Sequence, residues 1–146
     1  MLQSRPGSDA TAATDLSYVK VADIPGRTGQ LVRNELIVQL GIAQVSVSPV
    51  YRLEVELEES REGLAFQRDD SVTRYNYRLY GTFRLIDVRT GAVATHGKTR
   101  VIAAYNVVRS DYANLIAERD ARDRAARDLA QEIRLRLGVY FSRQRT

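Results

Sequence analysis

In TRYNYRLYGTFRLIDV, residues 73–88, apolar and polar side chains alternate along the chain. Apart from Gly81, the alternate positions from 75 to 85 are aromatic or aliphatic: Tyr75, Tyr77, Leu79, Phe83 and Leu85. The positions between them are mostly arginine or another polar residue. A period of two is typical of a β-strand with one buried face and one solvated face. The stretch therefore predicts a long strand that buries its odd-numbered side chains.

Two further stretches of the same kind flank it. In VYRLEVELEES, residues 50–60, the inward positions are Tyr51, Leu53, Val55 and Leu57; in VATHGKTRVIAAY, residues 93–105, they are Val93, Val101, Ala103 and Tyr105. Between the second and third stretches, DVRTGAV has the composition of a hairpin turn, with Gly91 available for a positive φ. The three stretches predict an antiparallel meander with one wet face.

Helical patterns and one short strand complete the chain. LSYVKVADI, residues 16–24, predicts a strand, and a helix is expected over about 28–40, with Thr28 as N-cap and Gly41 as its stop. A long final helix follows, with Ser110 as its cap and opposite charges four residues apart in ERDARDRAARD. Its apolar stripe comprises Leu115, Ala126, Leu129, Ile133, Leu137 and Phe141.

The order β-α-β-β-β-α, with one apolar sheet face and two amphipathic helices, predicts an α+β fold. We expect a two-layer α/β sandwich in which both helices pack on one face of a four-stranded sheet. A crossover through the first helix would make that sheet mixed. Residues 1–14 are small and polar and indicate a flexible leader; residues 15–142 are expected to form a single domain, and 143–146 a tail.

Composition excludes much chemistry. The chain has no cysteine and a single histidine, His96, which rules out disulfides, thiolate catalysis, cysteine-based metal sites and a pair of catalytic histidines. Neither a phosphate-binding loop nor a Gly-x-Ser-x-Gly elbow is present. The carboxylates Glu54, Glu56 and Glu58 are best explained by cross-strand pairing with Arg74, Arg78 and Arg84. We therefore predict no enzyme activity, no cofactor and no metal, and a surface position for His96.

Several stretches in series resemble one family. They are DIPGRTGQLVRNEL, YRLEVELEESREGLAFQRDDSVTRYNY, YRLYGTFRLIDVRTGAV and AAYNVVRSDYANLIAERDARDRAARDLAQEIRLRLGVYF. Together they resemble the alphaproteobacterial branch of the lipopolysaccharide-assembly lipoprotein LptE, over about residues 18–142. The resemblance implies a non-enzymatic protein on the periplasmic side of the outer membrane, which plugs an LptD-type β-barrel, binds lipopolysaccharide and is lipid-anchored at its N-terminus. The anchoring cysteine and the F-x-P-L-Y stretch expected after it are not in this sequence. An anchor in a segment before residue 1 would explain this, and an unanchored member of the family is the alternative.

The connection between the second and third strands is unusually rich in arginine. In a meander, the end of the second strand, the start of the third, the end of the fourth and the start of the last helix all lie at one end of the sheet. This end should be basic, with Arg61, Arg68, Arg74, Arg109 and Arg119. A bulge at Gly63 would present Leu64 and Phe66 as an apolar contact beside them. Arginines beside apolar groups suit an amphiphile with phosphates and acyl chains, so these seven residues are the predicted lipopolysaccharide site.

Three alternatives stay open. The arginines could instead form ion pairs with neighbouring acids, namely Glu62, Asp69, Asp70 and Asp111. The same sandwich could serve as a periplasmic or cytoplasmic adaptor that contacts other proteins. Basic and aromatic residues on a sheet face also occur in RNA-binding modules, but the element order differs from that of an RRM and no RNP-like stretch is present, so we expect no nucleic-acid partner.

Overall fold

A computed structural model describes residues 16, 18–41, 49–63 and 73–144. In chain order the elements are β1 (Val19–Val21), α1 (Gly26–Gln39), β2 (Tyr51–Gly63), β3 (Thr73–Asp87), β4 (Val93–Val107) and α2 (Asp111–Gln144). The predicted order β-α-β-β-β-α is confirmed. No helix of the described residues is both long and apolar enough to cross a membrane.

The four strands form one mixed sheet in the order β1-β2-β3-β4. β1 runs parallel to β2, with Lys20 opposite Arg52. The other two pairs are antiparallel, with Val55 opposite Phe83 and Leu79 opposite Val101. The sheet is therefore a three-stranded meander to which the α1 crossover adds a short parallel strand, and β1 and β4 are its two edges.

Both helices cover the same face of the sheet. On that face, the side chain of Leu129 in α2 lies so close to Gly81 of β3 that a Cβ on the glycine would be 3.0 Å from Leu129 Cδ2. α1 reaches the same face through Thr28, whose hydroxyl donates to Glu59 of β2. The two helices also contact each other, since Gln39 Nε2 donates to the carbonyl of Arg127. The two-layer prediction is confirmed.

The core follows the predicted parity closely. Of seven side chains on the predicted core faces of β3 and α2, six are buried, and Tyr75 is half-buried beside Tyr105, with the two ring centroids 5.7 Å apart. The buried six are Tyr77, Leu79, Phe83, Leu129, Ile133 and Leu137. Small residues let α2 approach the sheet, because Ala121, Ala125, Ala126 and Ala130 are buried as well.

One detail of strand register differs from expectation. Val93 was predicted to point inward, but it is 45% exposed. The register steps from Leu85 opposite Thr95 to Ile86 opposite Val93, so Ala94 is an extra residue in β4 that turns Val93 away from the core. The β2–β3 pairing is regular up to Gly63 opposite Tyr75; the bulge at Gly63 would shift Leu64 and Phe66, which lie outside the described residues, so it stays a prediction.

The helix ends were predicted in part. Gly41 has φ +69° and Gly91 has φ +79°, the left-handed conformation that favours glycine at a helix stop and in this hairpin turn. Thr28 is not an N-cap, because α1 begins two residues earlier, after Pro25, without a side-chain cap. Thr28 is buried instead, and its hydroxyl is taken by Glu59.

Candidate functional site

Four chain segments meet at one end of the sheet. Gly63, at the end of β2, lies opposite Tyr75 near the start of β3, and Thr73 lies opposite Val107 at the end of β4. α2 begins at Asp111, only four residues after β4. The convergence expected from the meander is thus present, and it brings Arg61, Arg74 and Arg109 to the same end of the molecule.

Arg61 already has partners at this end. Its Nη1 atom lies 2.9 Å from Glu118 Oε1 of α2 and 3.5 Å from the hydroxyl of Tyr105. The Tyr105 hydroxyl first, and then the Glu118 carboxylate, raise the pKa of Arg61 above its ordinary value. The ion-pair explanation therefore applies to Arg61, but its acid is Glu118 and none of the four acids predicted. The contact also brings the third turn of α2 to the end of β2.

The other arginines differ in their surroundings. Arg74, Arg109 and Arg119 are exposed, and none of them forms an ion pair with another residue in the described ranges. Arg74 lies opposite Asn106 on the sheet face that no helix covers, whereas Arg109 and Arg119 belong to the α2 side. Arg68, Leu64 and Phe66 lie outside the described residues, as do the acids Asp69 and Asp70.

Arg109 sits in a connection that is held at both ends. The side-chain amide of Asn114 accepts from the backbone N–H of Val108 and donates to its carbonyl, both at 2.7 Å. Ser110 caps α2 as predicted, since its Oγ accepts from the N–H of Ala113 at 3.2 Å. These bonds fix the backbone on either side of Arg109, so its side chain projects from a defined point.

An apolar patch that the sequence did not reveal lies next to these arginines. Tyr112, Leu115 and Ile116 are 74%, 54% and 43% exposed; we call them the α2 patch. Leu115 was predicted to belong to the apolar stripe of α2 that packs against the core. That prediction is wrong, because its side chain is exposed. Arg119 follows Tyr112, Leu115 and Ile116 by seven, four and three residues, the spacing of one helix face. The α2 patch and Arg119 thus share a side of the helix.

The α2 patch lies before the part of α2 that α1 contacts. Leu115 precedes the buried Ala126 by eleven residues, about three turns, so both lie on the same side of α2. α1 has only 14 residues, about 21 Å of helix, against 34 residues in α2. α1 contacts α2 at Arg127 and Arg134 through Gln39. The first two turns of α2 thus carry exposed apolar side chains on the side that is buried farther along the helix.

A polar network beneath the third turn of α2 links the sheet to both helices. Glu59 accepts hydrogen bonds from the hydroxyls of Tyr77 and Thr28 and lies 3.7 Å from Arg122 Nε. Arg122 also donates to Glu118 at 3.3 Å. Burial, followed by the nearby Glu59 carboxylate, raises the pKa of Tyr77 to about 12. The network orients α2 at the residues that flank Arg119.

The uncovered sheet face has its own charge pairs. Glu54 accepts from Arg84 at 2.5 Å and from Arg52 at 3.0 Å, and these bonds, Arg84 first, hold its pKa below the ordinary value. Arg78 pairs with Glu62. The cross-strand explanation is thus confirmed for Glu54 with Arg84. In the described ranges, Glu56 and Glu58 form no ion pair.

The remaining expectations about metals concern side chains on the same surface. His96 is exposed on this face, next to Gly97. No cluster of three or more histidine or carboxylate side chains suited to a metal ion occurs among the residues that the structure describes.

Comparisons with known proteins give a consistent result. The model of a family described as LptE, lipopolysaccharide-assembly, matches residues 16–137. A candidate lipoprotein from Caulobacter crescentus CB15 aligns with a TM-score of 0.79 and 28% identity, covering 91% of this chain and 97% of that one. A minor lipoprotein from Acinetobacter baumannii (TM-score 0.59, 22% identity, 83% and 91% coverage) and the rare lipoprotein B from Shewanella oneidensis (0.58, 14%, 88% and 97%) share the fold. No curated protein matches the chain.

Proposed function

We propose a specific role for this chain, which belongs to the LptE family of lipopolysaccharide-assembly lipoproteins. It binds lipopolysaccharide, plugs an LptD-type β-barrel and assists the insertion of lipopolysaccharide into the outer leaflet. It acts by binding and not by catalysis, on the periplasmic side of the outer membrane, with a lipid anchor at the N-terminus of the full protein. Family membership supports this role in general, and the residues described next support a location for the lipid.

The observation that carries the proposal is that exposed arginines and exposed apolar side chains lie together at one end of the sheet. Arg109 and Arg119 are exposed and form no ion pair with another described residue, and the α2 patch lies on the same helix face as Arg119. Lipopolysaccharide offers phosphates and acyl chains side by side. Arginine binds phosphate through charge-assisted, often bidentate hydrogen bonds, while the patch would remove acyl methylenes from water.

The magnitudes fit a binding site of useful strength. A hydrogen bond to a charged group is worth roughly 1.5–3 kcal/mol, and each methylene buried contributes about 0.8 kcal/mol. Two arginine–phosphate contacts and a few covered methylenes would thus supply several kcal/mol. Arg61, which Glu118 and Tyr105 already engage, contributes less directly and mainly positions α2. Arg74 and Arg68 extend the proposed site toward the β2–β3 connection, with Leu64 and Phe66 as further apolar contacts.

Charge reversal at two positions tests the location. The Arg109→Glu/Arg119→Glu double variant should bind lipopolysaccharide at least tenfold more weakly, since tenfold corresponds to only about 1.4 kcal/mol. Its thermal midpoint should stay close to that of the parent, because both side chains are solvated. The matched control is Lys98→Glu/Arg100→Glu on the uncovered face of β4. Unchanged binding in the first variant with weakened binding in the control would move the site to that face.

The barrel partner needs a separate experiment. Full-length protein expressed with its anchor should co-purify from detergent extracts with an LptD-type β-barrel in a stable complex. An adaptor of another kind would instead co-purify with other proteins and leave the barrel behind. Because complex formation is measured without lipopolysaccharide binding, failure of one part of the proposal is distinguishable from failure of the other.

A further inference from the structure

β4 is a long edge strand with one free side. It spans 15 residues and has β3 as its neighbour on one side, with no strand among the described residues on the other. Near its C-terminal end, Arg124 of α2 donates to the carbonyl of Ala104 at 3.1 Å, so a helix side chain already engages the backbone there. The part from Thr95 to Ile102 remains, about 26 Å of strand at 3.3 Å per residue. Such an edge is a template for an additional strand.

An apolar groove runs beside this edge on the helix-covered side. It has a volume of about 350 Å³ and is lined by Phe83, Thr95 and His96 from the sheet and by Leu135, Arg136 and Val139 from α2. Leu135 and Val139 are each about half exposed. Gly97 keeps the groove open, since a Cβ there would lie 2.9 Å from Phe83 Cζ and 3.2 Å from Arg136 Nη1. A strand added to β4 would direct every second side chain into this groove.

The charges on the uncovered side of β4 define the partner. Residues 93–107 include no acidic side chain, and Lys98 and Arg100 are exposed at alternate positions beside His96. On β3, the comparable arginines Arg78 and Arg84 pair with Glu62 and Glu54 of β2. β2 thus complements the basic face of β3, because its residues alternate between acidic side chains on that face and apolar side chains on the other. β4 presents the same kind of basic face, and no described strand matches it.

A second copy of this chain is a poor occupant. Pairing β4 with β4 of another molecule would bring two sets of Lys98 and Arg100 onto the same face of the joined sheet. Like charges on neighbouring strands are destabilising. The positive charges of Lys98 and Arg100 also disfavour pairing with a basic strand and favour pairing with an acidic one.

We propose that the Thr95–Ile102 edge of β4 binds an extended segment of a partner protein by strand addition. The segment alternates apolar residues, which enter the groove beside Leu135 and Val139, with acidic residues, which face Lys98 and Arg100. This surface is distinct from the Arg109–Arg119 end and does not depend on lipopolysaccharide binding there.

The test uses the 146-residue chain and a capped peptide, Leu-Glu-Val-Glu-Leu-Glu-Glu, copied from residues 53–59. Titration followed by amide NMR should shift the signals of residues 95–102. Two peptides N-methylated at either the odd or the even positions separate strand addition from plain charge attraction, because only one set of N–H groups faces β4. One of the two should bind at least tenfold more weakly, and the other should bind like the parent.

Variants of the protein test the charges and the groove. Lys98→Glu/Arg100→Glu and, separately, Leu135→Asp should each weaken peptide binding at least tenfold. Reversal of two exposed arginines elsewhere, Arg27→Glu/Arg127→Glu, should leave it within twofold. Equal binding of a scrambled peptide, equal loss with both N-methylated peptides, or shifts confined to other residues would overturn the proposal. It would also be overturned if residues 95–102 shifted with protein concentration alone, which would indicate self-association, or with lipopolysaccharide in place of the peptide.

Discussion

Replacing Tyr77 by Phe removes one hydroxyl from the polar network around Glu59 and keeps the volume of the ring. The hydroxyl donates to the Glu59 carboxylate, and a hydrogen bond to a charged group is worth roughly 1.5–3 kcal/mol. The Glu59 side chain is 42% exposed, so water can replace the lost donor, and Thr28 still donates to it at 2.8 Å. We therefore expect a loss of about 1–2 kcal/mol in the free energy of unfolding.

The same bond predicts a pH dependence. The folded state raises the pKa of Tyr77 to about 12, above the ordinary value near 10. A raised pKa means that the stabilisation is complete below about pH 10 and is lost as the pH rises through about 12. The stability difference between the parent and Tyr77→Phe should thus be constant from neutral pH to about pH 9 and then shrink.

Urea denaturation at a series of pH values measures both effects. The thermal midpoint at neutral pH should also fall by roughly 4–8 °C for a domain of this size. Tyr112→Phe is the control, because Tyr112 is 74% exposed and its variant should follow the parent at every pH. A Tyr77→Phe variant as stable as the parent, or a stability difference that grows above pH 10, would refute the network as described.

Three further substitutions test the packing around the site. Gly81→Ala places a Cβ 3.0 Å from Leu129 Cδ2 and should cost about 1–3 kcal/mol by overpacking, measured by urea denaturation. Asn114→Ala removes both hydrogen bonds to the Val108 backbone, so amide exchange at Val108 should accelerate. An unchanged exchange rate would show that these bonds do not hold the backbone beside Arg109. Leu115→Ser should change the free energy of unfolding by less than about 0.5 kcal/mol, as expected for an exposed side chain, while weakening lipopolysaccharide binding.

The periodic parts of the sequence predicted most of the fold. Alternation along residues 73–88 identified the buried face of β3, because successive side chains of a regular strand point to opposite faces of the sheet. Val93 was misplaced, because the bulge at Ala94 reverses parity after the β3–β4 turn. Thr28 was misread because α1 begins two residues earlier, at Gly26, so that Thr28 lies inside the first turn, where its hydroxyl donates to Glu59 of β2.

The candidate site was predicted less completely, since it depends on which elements cover which. Helical spacing placed Leu115 on the core side of α2, and it does lie on that side. Its exposure depends on which elements reach the first turns of α2, and no local sequence pattern contains that information. Likewise, the charge on Glu118 could be read from the sequence, but its contact with Arg61 requires the end of β2 to meet the third turn of α2.

Photo-crosslinking tests the proposed lipopolysaccharide site most directly. In one variant a benzophenone amino acid replaces Tyr112 in the α2 patch. In a second variant it replaces Tyr80, which lies opposite Arg100 on the uncovered sheet face. Each variant is irradiated with purified lipopolysaccharide and analysed for the adduct by mass. We expect an adduct at position 112 that is lost when Arg109 and Arg119 are both changed to Glu, and little or none at position 80. An adduct at position 80 without one at position 112 would contradict it.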